Sequence, residues 1–152
     1  MIVGTEWLIE AEGCDAIALR AEAVIRSIFD SVMADLGLRS VGSVWHKFPG
    51  EGGVTGMIAL TESHLACHTY PEHRTATFNL YCCRTRPEWD WDLNLKSLLG
   101  AETVSITKIE RGNAASEIPD LKSENENTAF QDLNPQSDIQ NPKSEMAMGV
   151  EA

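Results

Sequence analysis

Residues 53–83 read GVTGMIALTESHLACHTYPEHRTATFNLYCC, and this stretch decides the fold. Three runs in it, Val54–Leu60, Leu65–Tyr70 and Thr75–Cys82, have the length and the apolar, β-branched character of strands. Immediately upstream, PGEGG (Pro49–Gly53) is a flexible turn, and the segment before it, Ser40–Phe48, predicts a fourth strand. Thr5–Glu12 predicts a fifth. Between these two, Asp15 is placed to cap a helix that runs to about Leu36 and stops at Gly37. Ile17, Ala21, Val24, Ile25, Ile28, Val32 and Leu36 fall on one face of it. Downstream, Asp90–Leu99 predicts a second helix ended by Gly100, and about Glu102–Ile109 a last strand. The order is β-α-β-β-β-β-α-β. An α+β two-layer sandwich follows, a mostly antiparallel sheet with both helices on one face.

Composition narrows the function. The 152 residues carry a net charge of −11, which disfavours a protein that holds nucleic acid by neutralising phosphates. No apolar run is long enough to span a bilayer, and the acidic start MIVGTEWLIEAEG lacks the basic and apolar regions of a signal peptide. Cys14, Cys67, Cys82 and Cys83 form no CxxC pair, and neighbours such as Cys82 and Cys83 point to opposite faces of a strand. A disulfide scaffold or a zinc site fits poorly, and a cytoplasmic location fits better. Composition shifts near Arg111–Gly112. Residues 113–152 are rich in Asn, Ser, Pro and Gln, hold −6 of the net charge, and show no apolar period. They read as a disordered acidic tail on a domain of residues 1–112.

The chemistry lies between the strands. Glu62-Ser63-His64 sits where a turn exposes the Glu62–Ser63 peptide bond. His68 lies on the next strand, sharing a face with Ala66 and Tyr70, and Cys83 ends the strand after it, on the face of Asn79 and Tyr81. A hydroxyl, an imidazole and a thiol brought to one sheet edge suit nucleophilic and acid–base work. Each residue taken singly is also an ordinary turn serine, strand histidine or small buried thiol. From the residues alone a binding domain, and a hydrolase using Cys83 or Cys67 with His68, stand beside any other enzyme.

Thr61-Glu62-Ser63-His64-Leu65, followed by His68-Thr69 and Pro71-Glu72, closely resembles the processing site of the prokaryotic S-adenosylmethionine decarboxylase proenzymes. The resemblance runs over roughly residues 4–112, taking in Gly13–Asp15, His46-Lys47-Phe48, Gly53–Gly56, Cys83 and Glu110–Gly112. It implies self-cleavage between Glu62 and Ser63 into a β chain, 1–62, and an α chain, 63–152. Ser63 would become a pyruvoyl group, with no pyridoxal phosphate and no metal, that forms a Schiff base with substrate. The resemblance also implies that His68 accepts the Ser63 α-proton in processing, that Thr55, standing where the family has Ser, assists, and that Cys83 protonates the decarboxylated substrate carbon. Phe48, Leu65, Tyr70, Glu72 and Glu6 become the candidate substrate contacts. The activity implied is decarboxylation of S-adenosylmethionine in polyamine biosynthesis by a homo-oligomer of processed αβ units.

Two departures keep alternatives in view. Glu6 stands where the prokaryotic members have His, within Gly4-Thr5-Glu6-Trp7-Leu8 that resembles eukaryotic members, and Tyr70 stands where Trp is common. Glu6 is expected either in a charged network or at the substrate. Arginine or ornithine as substrate, and a non-enzymatic homologue, are the alternatives.

Overall fold

The structure, a computed structural model, describes residues 1–112. The acidic tail expected over 113–152 lies outside the described residues. Six strands form one sheet: β1 (Ile2–Glu12), β2 (Ser40–Lys47), β3 (Val54–Leu60), β4 (Ser63–Tyr70), β5 (Thr75–Cys82) and β6 (Thr103–Gly112). The order across the sheet is β2-β3-β4-β5-β1-β6, and every neighbouring pair is antiparallel. β2 to β5 are a meander. β1 then lies between β5 and β6, so the first strand of the chain is paired on both sides by late ones.

Alternation along the strands separates two faces. Trp7, Ile9 and Ala11 of β1, Val54, Ile58 and Leu60 of β3, Leu65 and Cys67 of β4, and Ala76, Phe78, Leu80 and Cys82 of β5 point to one side and are buried. The helices cover that side, making the α+β two-layer sandwich expected from the sequence. The second face carries Leu8, Val44 and Met57, all exposed, and no element of the described residues lies over it.

The first helix is where the structure departs from expectation. It is two helices, α1 (Ala16–Arg20) and α2 (Glu22–Leu36), separated by Ala21 in an extended conformation. The cause is a buried hydroxyl. Thr69 Oγ1 donates to the Leu19 carbonyl at 2.8 Å and accepts from the Val54 amide at 2.8 Å. It therefore occupies a carbonyl that a continuous helix would use for its own i+4 bond. The break rephases the apolar face: Leu19 is buried and Ile17 is 74% exposed. The ends behave as read. Asp15 Oδ1 accepts from the Ile17 and Ala18 amides, and Gly37 closes α2 at φ +63°, a left-handed conformation in which only glycine is unstrained. The second expected helix is α3 (Trp91–Leu99), capped by Asp90 through the Leu93 amide.

Packing of α2 on the sheet centres on Phe29, which is fully buried. Its ring lies 5.0 Å from Trp45 and 6.3 Å from Phe78. Trp45 in turn lies across Gly56, where a Cβ would come within 2.3 Å of the indole. Phe29→Ala is expected to cost about 3–5 kcal/mol, because the cavity it leaves is walled by strands that cannot collapse. Urea unfolding in a Ser63→Ala background, which keeps the chain in one piece, measures this; a loss below about 1 kcal/mol would contradict the packing described.

Candidate active site

The β3–β4 hairpin is closed by only two residues, Thr61 and Glu62, because Leu60 pairs with Ser63. Two-residue hairpin loops usually take positive φ within the loop to match the twist of their strands. Here neither Thr61 nor Glu62 does. The positive φ, +149°, falls on Ser63. A non-glycine residue there is strained by about 1–3 kcal/mol and persists only if its surroundings hold it. They do. Ser63 is paired on one side to Leu60 and on the other to Cys82; the Thr61 amide donates to the Arg39 carbonyl at 3.0 Å; and the Cys83 amide donates to the Glu62 carbonyl at 3.0 Å. The Glu62 side chain forms an ion pair with Arg86, whose hydrogen bond holds the Glu62 carboxyl below the usual carboxylate range. Ser63 is thus the first residue of β4, two residues earlier than the sequence pattern indicated.

Cys83 follows β5 directly and is exposed, beside the Glu62–Ser63 bond through its own backbone. Ser63 Oγ is 3.2 Å from His64 Nδ1. His64 Nε2 is 2.7 Å from Asn79 Oδ1, Asn79 Nδ2 donates to Glu6 Oε1 at 2.8 Å, and Glu6 pairs with Arg111. The Asn79 hydrogen bond first, then the Arg111 pairing, lowers the Glu6 pKa despite its burial. Glu6 therefore sits in a charged network, one of the two settings expected for it. The network crosses β4, β5, β1 and β6 on the open face of the sheet.

His68 lies elsewhere. It is five residues along β4 from Ser63, on the order of 16 Å at strand spacing, and its Nδ1 is 2.6 Å from Thr55 Oγ1 on β3. Within one chain the backbone of Cys83 lies beside the Glu62–Ser63 bond, whereas His68 lies far along the strand, because a strand holds residues five apart too far from each other. Phe48 and Tyr70 flank the His68 ring at 5.6 and 4.3 Å, and these residues with Gly53 and Glu72 line one shallow depression. Leu65 is fully buried on the helix side. Its side chain belongs to the core, so what Leu65 can present to the open side is its backbone. His64, Asn79, Arg86 and Arg111 were not singled out from the sequence. Alternation alone puts His64 and Asn79 on the face of His68, but their meeting depends on strand register.

A family model described as S-adenosylmethionine decarboxylase matches residues 5–112. The S-adenosylmethionine decarboxylase proenzyme of Prochlorococcus marinus is 32% identical over 117 residues, 76% of this chain and 92% of that protein. The proenzyme of the same name from Archaeoglobus fulgidus is 36% identical over 83 residues, 55% of this chain and 73% of its own. The crystal structure of the adenosylmethionine decarboxylase from Aquifex aeolicus superposes with a TM-score of 0.61 at 25% identity, covering 76% of this chain and 96% of that one.

The environments of the four thiols differ enough to test. Burial pushes Cys67 up to about 12 and Cys82 to about 11, and raises Cys14, whereas Cys83 is exposed. Since the thiolate is the nucleophile, iodoacetamide at pH 8 is expected to alkylate Cys83 first and the other three only on unfolding. Peptide mapping reads this out, and early labelling of Cys67 or Cys82 would contradict the packing of β4 and β5.

Proposed function

The chain belongs to the S-adenosylmethionine decarboxylase family, and we propose that it is a self-processing carboxy-lyase that converts S-adenosylmethionine to its decarboxylated form and carbon dioxide. The observation that carries this is Ser63: a serine held at φ +149° at the bond its own hydroxyl attacks. The names of the relatives favour this substrate over arginine or ornithine, and the word proenzyme in them agrees with cleavage into residues 1–62 and 63–152. Among the described residues no helix is long and apolar enough to cross a membrane; we place the enzyme in the cytoplasm, in polyamine biosynthesis.

Processing follows from the loop. Attack of Ser63 Oγ on the Glu62 carbonyl turns the amide into an ester and releases the backbone strain. The oxygen that becomes negative already accepts the Cys83 amide at 3.0 Å, the position of an oxyanion donor. Loss of the Ser63 α-proton and β-elimination of the Glu62 carboxylate leave dehydroalanine at residue 63, and water hydrolyses its imine tautomer to a pyruvoyl group with release of ammonia. That group supplies an electrophilic carbonyl for the substrate amine and an acceptor for the electron pair left by carbon dioxide. Cys83, whose backbone bonds to the Glu62 carbonyl and whose thiol is exposed, is the proposed proton donor to the substrate carbon.

His68 is the proposed acceptor of the α-proton, with Thr55 hydrogen-bonded to it. Its distance from Ser63 in the same chain supports a homodimer formed on the open sheet face, in which the partner's His68 reaches Ser63. Leu8, Val44 and Met57, exposed on that face, are the apolar surface such a contact would cover. Phe48, Tyr70 and Glu72 surround His68 and enter the site with it, offering aromatic faces and a carboxylate to the adenine and the sulfonium. Glu72 has no ion-pair partner among the described residues, whereas Glu6 is held by Arg111.

Intact-mass measurement of the purified protein is expected to give two chains split before residue 63, and carboxyl-labelled S-adenosylmethionine to release labelled carbon dioxide. One uncleaved chain, or faster release from arginine or ornithine, would sink the assignment. The dimer has its own test. Ser63→Ala and His68→Ala chains, each unable to process alone, are expected to restore cleavage of the His68→Ala chain when refolded together; no cleavage in the mixture would place His68 in its own chain's site.

A further inference from the structure

We propose that His64 is the base that takes the hydroxyl proton of Ser63 in the acyl shift, and that Asn79, Glu6 and Arg111 fix which of its nitrogens faces that hydroxyl. This rests on the self-processing reading above and adds a catalytic residue to it.

The direction of the hydrogen-bond chain is set from its charged end. Arg111 can only donate, so Glu6 beside it is an acceptor on both oxygens. Asn79 must therefore turn its amide nitrogen to Glu6 Oε1, at 2.8 Å, and its carbonyl oxygen to His64. A carbonyl oxygen cannot donate, so His64 Nε2, 2.7 Å away, carries the ring proton. The neutral imidazole then presents a lone pair at Nδ1, and what faces it at 3.2 Å is Ser63 Oγ. A serine hydroxyl, a base and an orienting group in series is the arrangement of an activated nucleophile. His68, by contrast, is five residues along β4 from Ser63 and has Thr55 Oγ1, not the serine, as its hydrogen-bond partner, at 2.6 Å from Nδ1.

The step balances within the chain. The Ser63 Oγ–H bond breaks and its proton goes to His64 Nδ1. The oxygen pair forms the bond to the Glu62 carbonyl carbon, and the carbonyl π pair moves onto the oxygen that faces the Cys83 amide. When that oxyanion collapses, the carbon–nitrogen bond breaks, and the Ser63 nitrogen leaves with the proton returned by His64. No oxidant or outside acid is consumed. Asn79, Glu6 and Arg111 are positioning residues, acting through the tautomer of His64.

The proenzyme made by cell-free synthesis gives the test, with cleavage followed by intact mass. His64→Gln is expected to slow cleavage by on the order of 100-fold, within the usual range for loss of a general base. His64→Gly is expected to recover part of the rate in added imidazole. Cleavage of His64→Gln at the wild-type rate would overturn the proposal and leave the self-processing reading intact; failure of the wild type to cleave would overturn that reading instead. A readout that does not depend on a His64 variant folding is the tautomer itself. In the uncleaved Ser63→Ala chain, the 15N shifts of the His64 ring are expected to show the proton on Nε2, and Asn79→Leu is expected to lose that preference. A proton on Nδ1 in the Ser63→Ala chain would equally overturn the proposal.

Discussion

The pairing of β4 on both of its edges is the constraint from which the rest follows. A hairpin joined by two residues demands an unusual backbone somewhere, and Leu60 pairing with Ser63 leaves only Thr61 and Glu62 to turn the chain. Glycine in that loop would absorb the demand without cost. The loop has none, and the strain is displaced onto the next residue, the serine. Cys82 and Cys83 on the other side keep it from relaxing. A strained residue is costly in a fold and useful in a reaction that removes it. Both the expense and the use are located at the same bond.

Around this bond the protein reverses its overall electrostatics. The chain is strongly acidic, yet Arg39, Arg84 and Arg86 line the pocket at Thr61 and Glu62. Glu62 is ionised against Arg86, which favours its carboxylate form at the place where cleavage would create a second carboxylate. On the open face the same logic runs the other way. Glu6 is neutralised by Arg111 at one end of a hydrogen-bond chain whose other end reaches Ser63. On this face the ion pair stands at the far end of the hydrogen-bond chain from the hydroxyl.

The fold was largely legible because its signals are local. Alternation in residues 54–82, Asp15 and Asp90 at helix starts, and Gly37 and Gly100 at helix ends each act within a few residues. The break at Ala21 was not legible, since its cause is Thr69, remote in sequence and buried. The site divides in the same way. Ser63, Glu62 and Cys83 could be named from a contiguous motif and its following strand. His64 stood inside that motif, but its partner Asn79 and the Glu6 beyond become visible only when β1 is known to pair with β5. Glu6 was legible as a member of a charged network or as a substrate contact, and its partner Arg111 was not. His68 shows the opposite limit. A motif places residues in sequence, and strand geometry then sets this one far from the serine it was expected to serve.

The strand order has a consequence for what the molecule becomes. The proposed cut before Ser63 would assign β2, β3 and β1 to one fragment and β4, β5 and β6 to the other. Across the sheet these alternate as a pair, a pair, a single and a single. The fragments share three strand seams and one core, so the cut severs a covalent bond without opening a surface. It also changes the kind of problem that folding is. Before the cut, a lost structure can be regained by one chain searching alone. Afterwards two chains would have to find each other, at a rate set by concentration, and the strain at Ser63 would no longer be there to be released. On the proposed reaction, β3, β4 and β5 must pair before the serine reacts, since those pairings hold it in its strained conformation, and the hydrogen-bond ladder would arm the bond only once these strands are in place.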